Sequence, residues 1–138
     1  MIELNLNIAS TYDAVSEINR TIRQFLVEEK VEDHVCNAVD ICLSESLNNI
    51  IKHSYLGDPS RLISITVKKD SKFLELQMID EGKPRESLVV HDLEFDPNNI
   101  QHLPESGMGL FIIKQLMDEM NYYSLNGKNY FILKKWFY

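Results

Sequence analysis

Cysteine is scarce: Cys36 and Cys42 are the only two in 138 residues. They stand six apart with no CxxC or Cys/His cluster around them. Neither a disulfide framework nor a metal site is expected, and buried reduced thiols are. Basic residues are also in deficit. Fourteen Lys and Arg against 21 Asp and Glu leave a net charge of −7. Such a chain lacks the basic footprint that contacts to a phosphate backbone require, which excludes direct nucleic-acid binding. No apolar run approaches the roughly 18 residues of a membrane span. The N-terminus also lacks the basic-then-apolar order of a secretory leader. A cytoplasmic location with no membrane association is the expectation. Composition is otherwise ordinary for a globular protein, 44% hydrophobic and 25% charged. The length suits a single domain, 1–138, able to bury a core without staples.

The hydrophobic periodicity orders the elements. Ile2, Leu4, Leu6 and Ile8 alternate with polar residues, as in a half-buried strand. Ser10 and Asp13 resemble a capping box ahead of a helix carrying Val15, Ile18, Ile22, Phe25 and Leu26. A second helix is predicted from about 33 to 54, broken by Gly57-Asp58-Pro59. Strands over 62–68 and 72–79 are separated by Lys69-Asp70-Ser71 and form a hairpin. Residues 81–106 show no period and contain Pro84, Pro97 and Pro104; a loop this long is functional or disordered. Helical spacing returns at Leu110, Ile113, Leu116, Met117 and Met120. Asn126-Gly127 then joins strands over 121–125 and 128–136. The order is β-α-α-β-β-loop-α-β-β, without internal repeats.

Three separated segments carry candidate chemistry. In Ser44-Glu45-Ser46-Leu47-Asn48-Asn49, the carboxylate of Glu45 and the carboxamide of Asn49 lie one helical turn apart. His53 continues that stripe and Lys52 borders it. A solvated helix face gives the same pattern. On a functional reading, Asn49 supplies a neutral oxygen to Mg²⁺, and Glu45 orients or deprotonates an attacking hydroxyl. Asp80 closes a strand in which Leu74, Leu76 and Met78 point one way, and Gly82 follows. An ionised Asp accepts hydrogen bonds only, which suits an exocyclic amino group such as adenine's. Gly82 admits close backbone approach and positive φ, although an ordinary strand-to-turn Asp-x-Gly looks the same. Gly107-Met108-Gly109 stands at the expected start of the third helix, where free N–H groups favour an anion. No Gly-Lys-Ser/Thr follows, so this is not a Walker loop.

Together these segments resemble the ATP-binding domain of the GHKL superfamily, shared by gyrase, histidine kinases and related ATPases. Glu45…Asn49 is similar to its N box, Asp80-x-Gly82 to its G1 box, and Gly107-x-Gly109-Leu110 to its G2 box. The flanks narrow the likeness to bacterial anti-sigma-factor serine/threonine kinases: Asn49-Ile50-Ile51-Lys52-His53-Ser54-Tyr55 and Ser106-Gly107-Met108-Gly109-Leu110-Phe111 resemble theirs. The resemblance implies an α+β fold, a two-layer α/β sandwich of the Bergerat type. Its sheet would be mixed and mostly antiparallel, with helices on one face and an ATP lid at about 83–106. It implies ATP and Mg²⁺ as cofactors, Mg²⁺ on Asn49, adenine on Asp80, and Glu45 as the general base. Further nucleotide contacts would come from His53, Gly82, Ser106, Gly107, Met108, Gly109 and Leu110.

By resemblance alone, the partners are a STAS-type anti-sigma antagonist, phosphorylated on a serine, and a sigma factor held inactive; homodimers are common in the group. The alternative is an ATP-gated binding module or anti-sigma-like adaptor with little kinase turnover. An independent ATPase module would be expected to carry a transducer domain. A histidine kinase would carry a dimerisation and phosphoacceptor region ahead of this domain. Two departures favour the adaptor. Pro84 takes the place of the last glycine in Asp-x-Gly-x-Gly, removing an N–H. No Lys or Arg lies between Glu86 and Ile113. Lys52, Lys83, Arg85, His102 or a partner's side chain would have to offset the charge of the transferring phosphoryl.

Overall fold

The computed structural model describes residues 1–85 and 105–137, with the backbone alone at 105–108. The elements run β1 (Ile2–Ala9), α1 (Tyr12–Glu28), α2 (Asp33–Asn49), β2 (Leu62–Lys69), β3 (Phe73–Asp80), α3 (Glu105–Leu116), β4 (Glu119–Leu125) and β5 (Lys128–Trp136). The strands form one sheet in the order β1-β2-β3-β5-β4. Every described pairing is antiparallel, the limiting case of the mostly antiparallel sheet expected.

Period-two alternation decides which face is buried. Leu4, Val67, Leu76, Leu133 and Met120 lie opposite one another across all five strands, and the next inward row is Leu6, Ile65, Met78, Phe131 and Tyr122. These rows meet Val15, Ile18, Ile22 and Leu26 of α1 and Val35, Val39, Leu43 and Leu47 of α2 in one core. Fully burying each such aliphatic chain contributes roughly 1.5–3 kcal/mol. The other face is polar at β1 and β2, where Ser64 and Thr66 donate to Asn7 and Asn5 at 2.7 and 2.8 Å. The helices therefore occupy one face. Both cysteines are buried and reduced, and burial pushes the Cys42 thiol up to about 12.

Local chemistry sets the joints. Asp70 turns the β2–β3 hairpin by accepting from the N–H groups of Lys72 and Phe73 at 2.7 and 3.0 Å. Asn126 and Gly127 both take positive φ (54° and 79°), as the two central residues of a tight hairpin must. The cap of α1 is Thr11, whose hydroxyl accepts from Ala14 N–H at 3.2 Å. Ser10 is not the cap because its hydroxyl donates to Asp58 O and its N–H to Arg61 O. Met120 belongs to β4 rather than to the preceding helix. Asp118 N–H already pairs with Lys134 O, and the Asp118 carboxylate accepts from Trp136 N–H, so strand pairing begins there. Arg23 ties α1 to α2, pairing with Asp40 and donating to Asn37.

Candidate functional site

The second helix does not end as a regular α-helix. Residues Ile50–Ser54 form a π-turn, with Tyr55 N–H donating five residues back to Ile50 O at 2.9 Å. Single π-turns of this kind occur frequently at functional sites. Widening the turn re-aims the side chains beyond Asn49. Ser46, Asn49, Ile50 and Ser54 line a cleft beneath the helices, and His53 is not among the lining residues. Of the stripe through Glu45, Asn49 and His53, Asn49 is the member that lines the cleft. His53 stands beside the cleft, its pKa lowered by burial and by the nearby Arg85 and Lys52 charges.

The opposite wall is the end of the sheet. The alternation that sends Leu74, Leu76 and Met78 inward carries Asp80 to the same face, where it is 3% exposed. Its Oδ1 accepts from Gly82 N–H at 2.9 Å and from Asn129 Nδ2 at 2.8 Å. Asn129 also donates to Gly82 O at 3.0 Å and accepts from the Ser124 hydroxyl at 2.6 Å. No hydrogen bond reaches Oδ2 among the described residues, and Asp80 lines the cleft. Burial pushes the Asp80 carboxyl above its ordinary range, opposed by the bonds from Asn129 and Gly82 and by Arg61.

Gly82 is required by contact, not by positive φ. A Cβ there would overlap Ser54 O and stand 2.6 Å from the Ser54 carbonyl carbon and 2.8 Å from Tyr55 Cδ1. The turn is pressed against the π-turn, and Lys83 N–H closes it on Ser54 O at 2.8 Å. Tyr55 clamps the far side, accepting from Glu81 N–H at 2.8 Å and donating to Leu62 O.

The third segment closes the site. Helix α3 begins at Glu105, with Pro104 just before it in sequence, so both glycines lie inside its first turns rather than ahead of them. The N–H groups without an intrahelical acceptor are then those of the first turn, 105–108. A Cβ on Gly109 would lie 2.5 Å from Glu45 Oε2 and 3.6 Å from Asn49 Nδ2. This is where the first and third segments meet. Neither Glu45 nor Asn49 has a hydrogen-bond partner among the described residues, and both side chains flank Gly109. Leu110 and Phe131 add apolar walls, and Tyr122 and Arg85 complete the lining.

Of the ten residues singled out from sequence, Asn49, Asp80 and Leu110 line the cleft. Glu45, Gly82 and Gly109 pack at its edge, and His53 stands outside. The side chains of Ser106 and Met108, the surroundings of Gly107, and His102 with most of the 83–106 segment lie outside the described residues. Ser54, Tyr122 and Arg85 complete the lining, and Asn129, which the sequence reading missed, holds Asp80 there. Asn129 had a legible signal: it is in phase with inward-facing Phe131 and Leu133, where a polar residue needs a partner.

The donor set suits ATP and Mg²⁺. Apolar walls beside a buried carboxylate with an oxygen unpaired among the described residues fit an aminopurine, and the neutral side-chain oxygen of Asn49 fits a hard cation. Layered architecture and cleft together define an α/β-sandwich nucleotide-binding domain. The family model described as a histidine kinase-like ATPase domain matches residues 8–135, and the chain belongs to that family.

Among curated relatives, the chain is 27% identical over 122 residues to an anti-sigma F factor of Anoxybacillus flavithermus, covering 88% of this chain and 83% of the relative. It is 29% identical over 93 residues to the serine-protein kinase RsbW of Bacillus thuringiensis, covering 58% of this chain. The match spans 51% of that kinase, about half its length. Among solved structures, the RsbU and RsbW domains of a Mycobacterium tuberculosis protein superpose with a TM-score of 0.70 at 17% identity. That match covers 98% of this chain and 32% of the other. A SiaB-SiaC complex from Pseudomonas aeruginosa gives 0.65 at 16% identity, covering 97% and 89%. At these identities both establish the fold.

Proposed function

We propose that this chain binds ATP with Mg²⁺ in the cleft between α2, β3 and α3. It would act as a serine/threonine protein kinase on a STAS-type anti-sigma antagonist, and as a holder of a sigma factor. One observation carries the reading: Glu45 and Asn49 meet Gly109 at the cleft to which Asp80 presents an unengaged oxygen. The relatives named anti-sigma F factor and serine-protein kinase support the choice of reaction and partners.

Asp80 accepts the hydrogen of an exocyclic amino group, held in place by Asn129 and the Gly82 turn. Asn49 offers its side-chain oxygen to the cation. When bound, Mg-ATP supplies an activated phosphoryl group whose charge the metal spreads. Glu45 would take the proton of the incoming serine hydroxyl as the serine oxygen bonds to the γ-phosphorus and the bond to the departing ADP breaks. The Gly109 contact keeps that carboxylate at the cleft edge.

A second reading is an ATP-gated adaptor without turnover, favoured by the lack of Lys and Arg between Glu86 and Ile113. Labelled γ-phosphate transfer to a STAS-type antagonist encoded near this chain separates the two. The wild type should label the antagonist, and Glu45→Ala should lose roughly 100-fold or more in rate while retaining nucleotide affinity. Equal labelling by both proteins would remove Glu45 from the base role. ATP-dependent capture of the antagonist without labelling would select the adaptor.

A further inference from the structure

The sequence left open which cation could serve a site whose 86–113 stretch has no Lys or Arg. Of the described candidates, Lys52 and Lys83 are exposed and do not line the cleft. Arg85 does. It is half-buried, and its Nη1 is closed off from solvent without a hydrogen-bond partner among the described residues. No ion pair reaches it among those residues either. Burial depresses its pKa, with only Tyr122 opposing. The pKa of His53, the neighbouring titratable group, is lowered by burial and then by the Arg85 and Lys52 charges.

A guanidinium is always charged and presents its donors in a fixed fork. Leaving one partly desolvated and unpaired is costly, and an anion in the cleft would relieve that cost. Its backbone is anchored: Arg85 N–H donates to Tyr122 Oη at 2.8 Å, and the Tyr122 ring meets Phe131 edge-on at 6.3 Å. The anchor on β4 holds Arg85 at the cleft before any ligand arrives.

We propose that Arg85 is the cation that pairs with the phosphate chain of the bound nucleotide, its Nη1 donating to a phosphate oxygen, with Tyr122 as its positioning residue. The inference rests on the nucleotide reading and names the group that makes the site select a charged nucleotide over a bare nucleoside.

Calorimetric titration of the wild type, Arg85→Gln, Arg85→Lys and Tyr122→Phe with Mg-ATP and with adenosine tests it. Arg85→Gln should weaken Mg-ATP binding about tenfold or more, as loss of a charge-assisted bond does, and change adenosine binding less than about twofold. Arg85→Lys should recover part of the loss, and Tyr122→Phe should fall between wild type and Arg85→Gln. Unchanged Mg-ATP affinity in Arg85→Gln would overturn the proposal. So would an equal loss for adenosine, which would place Arg85 against the base. Tighter binding of both ligands would show that Arg85 plugs the cleft. A wild type that binds neither ligand would bring down the nucleotide reading and this inference together.

Discussion

Asp80→Asn should melt at or slightly above the wild-type temperature without ligand and show no further rise with Mg-ATP. The two halves have separate causes. Burial holds the Asp80 carboxyl above its ordinary range, so the folded state binds that proton more tightly than the unfolded chain does. Ionisation therefore costs stability. The cost is absent below the ordinary carboxylate pKa, develops as pH rises through the window up to the raised value, and is present in full above it.

Asn at this position keeps an oxygen for Gly82 N–H and Asn129 Nδ2 and removes the buried charge. It loses the acceptor-only character of Oδ2, which is what an amino group needs. Mg-ATP at 100 times Kd should add about 2.7 kcal/mol to the wild type, roughly 8 °C for a domain of this size. A substituted protein that melts far lower would mean that the charge is structural. One that still rises like the wild type would mean that Asp80 does not read the base.

Gly82→Ala should be the most damaging single methyl addition among the described glycines. The added Cβ meets Ser54 backbone and the Tyr55 ring, in the turn that also carries the Lys83-to-Ser54 bond. The Ser54 backbone, and a Tyr55 ring held through its hydroxyl by Glu81 N–H and Leu62 O, cannot yield as a flexible side chain would. A loss of about 3 kcal/mol is expected, lowering the melting temperature by roughly 10 °C in scanning calorimetry. Gly57→Ala is the control, since its site has open space but a φ of +81°. Strain alone there should cost about 1–2 kcal/mol. Gly82→Ala melting no lower than Gly57→Ala would show that the turn is not wedged against the π-turn.

What the sequence made legible follows from how local each cause is. Alternation in β1 and β3 identified the inward rows and put Asp80 in phase with them. Asn126-Gly127 and Asp70 specified their turns through their own backbone preferences. The N-cap was missed by one residue because Ser10 is claimed by Asp58 and Arg61, partners 48 and 51 positions away. Met120 fits a helical period, yet pairing of Asp118 with β5 ends the helix first. A π-turn leaves no mark in apolar spacing, so the sequence reads the second helix as regular through 54. Arg85 was one cation among several until its unpaired nitrogen singled it out.

Convergence of the three segments on one adenine- and magnesium-dependent site is most directly tested by calorimetric titration of the wild-type chain. The ligands are Mg-ATP, Mg-GTP and ATP in EDTA. One Mg-ATP should bind per chain. Mg-GTP should bind far more weakly, because guanine carries a carbonyl oxygen where adenine carries the amino group that Asp80 would accept from. ATP without the metal should also weaken, because the uncomplexed triphosphate meets a chain of net charge −7. No binding, or equal affinity for all three, would contradict the site.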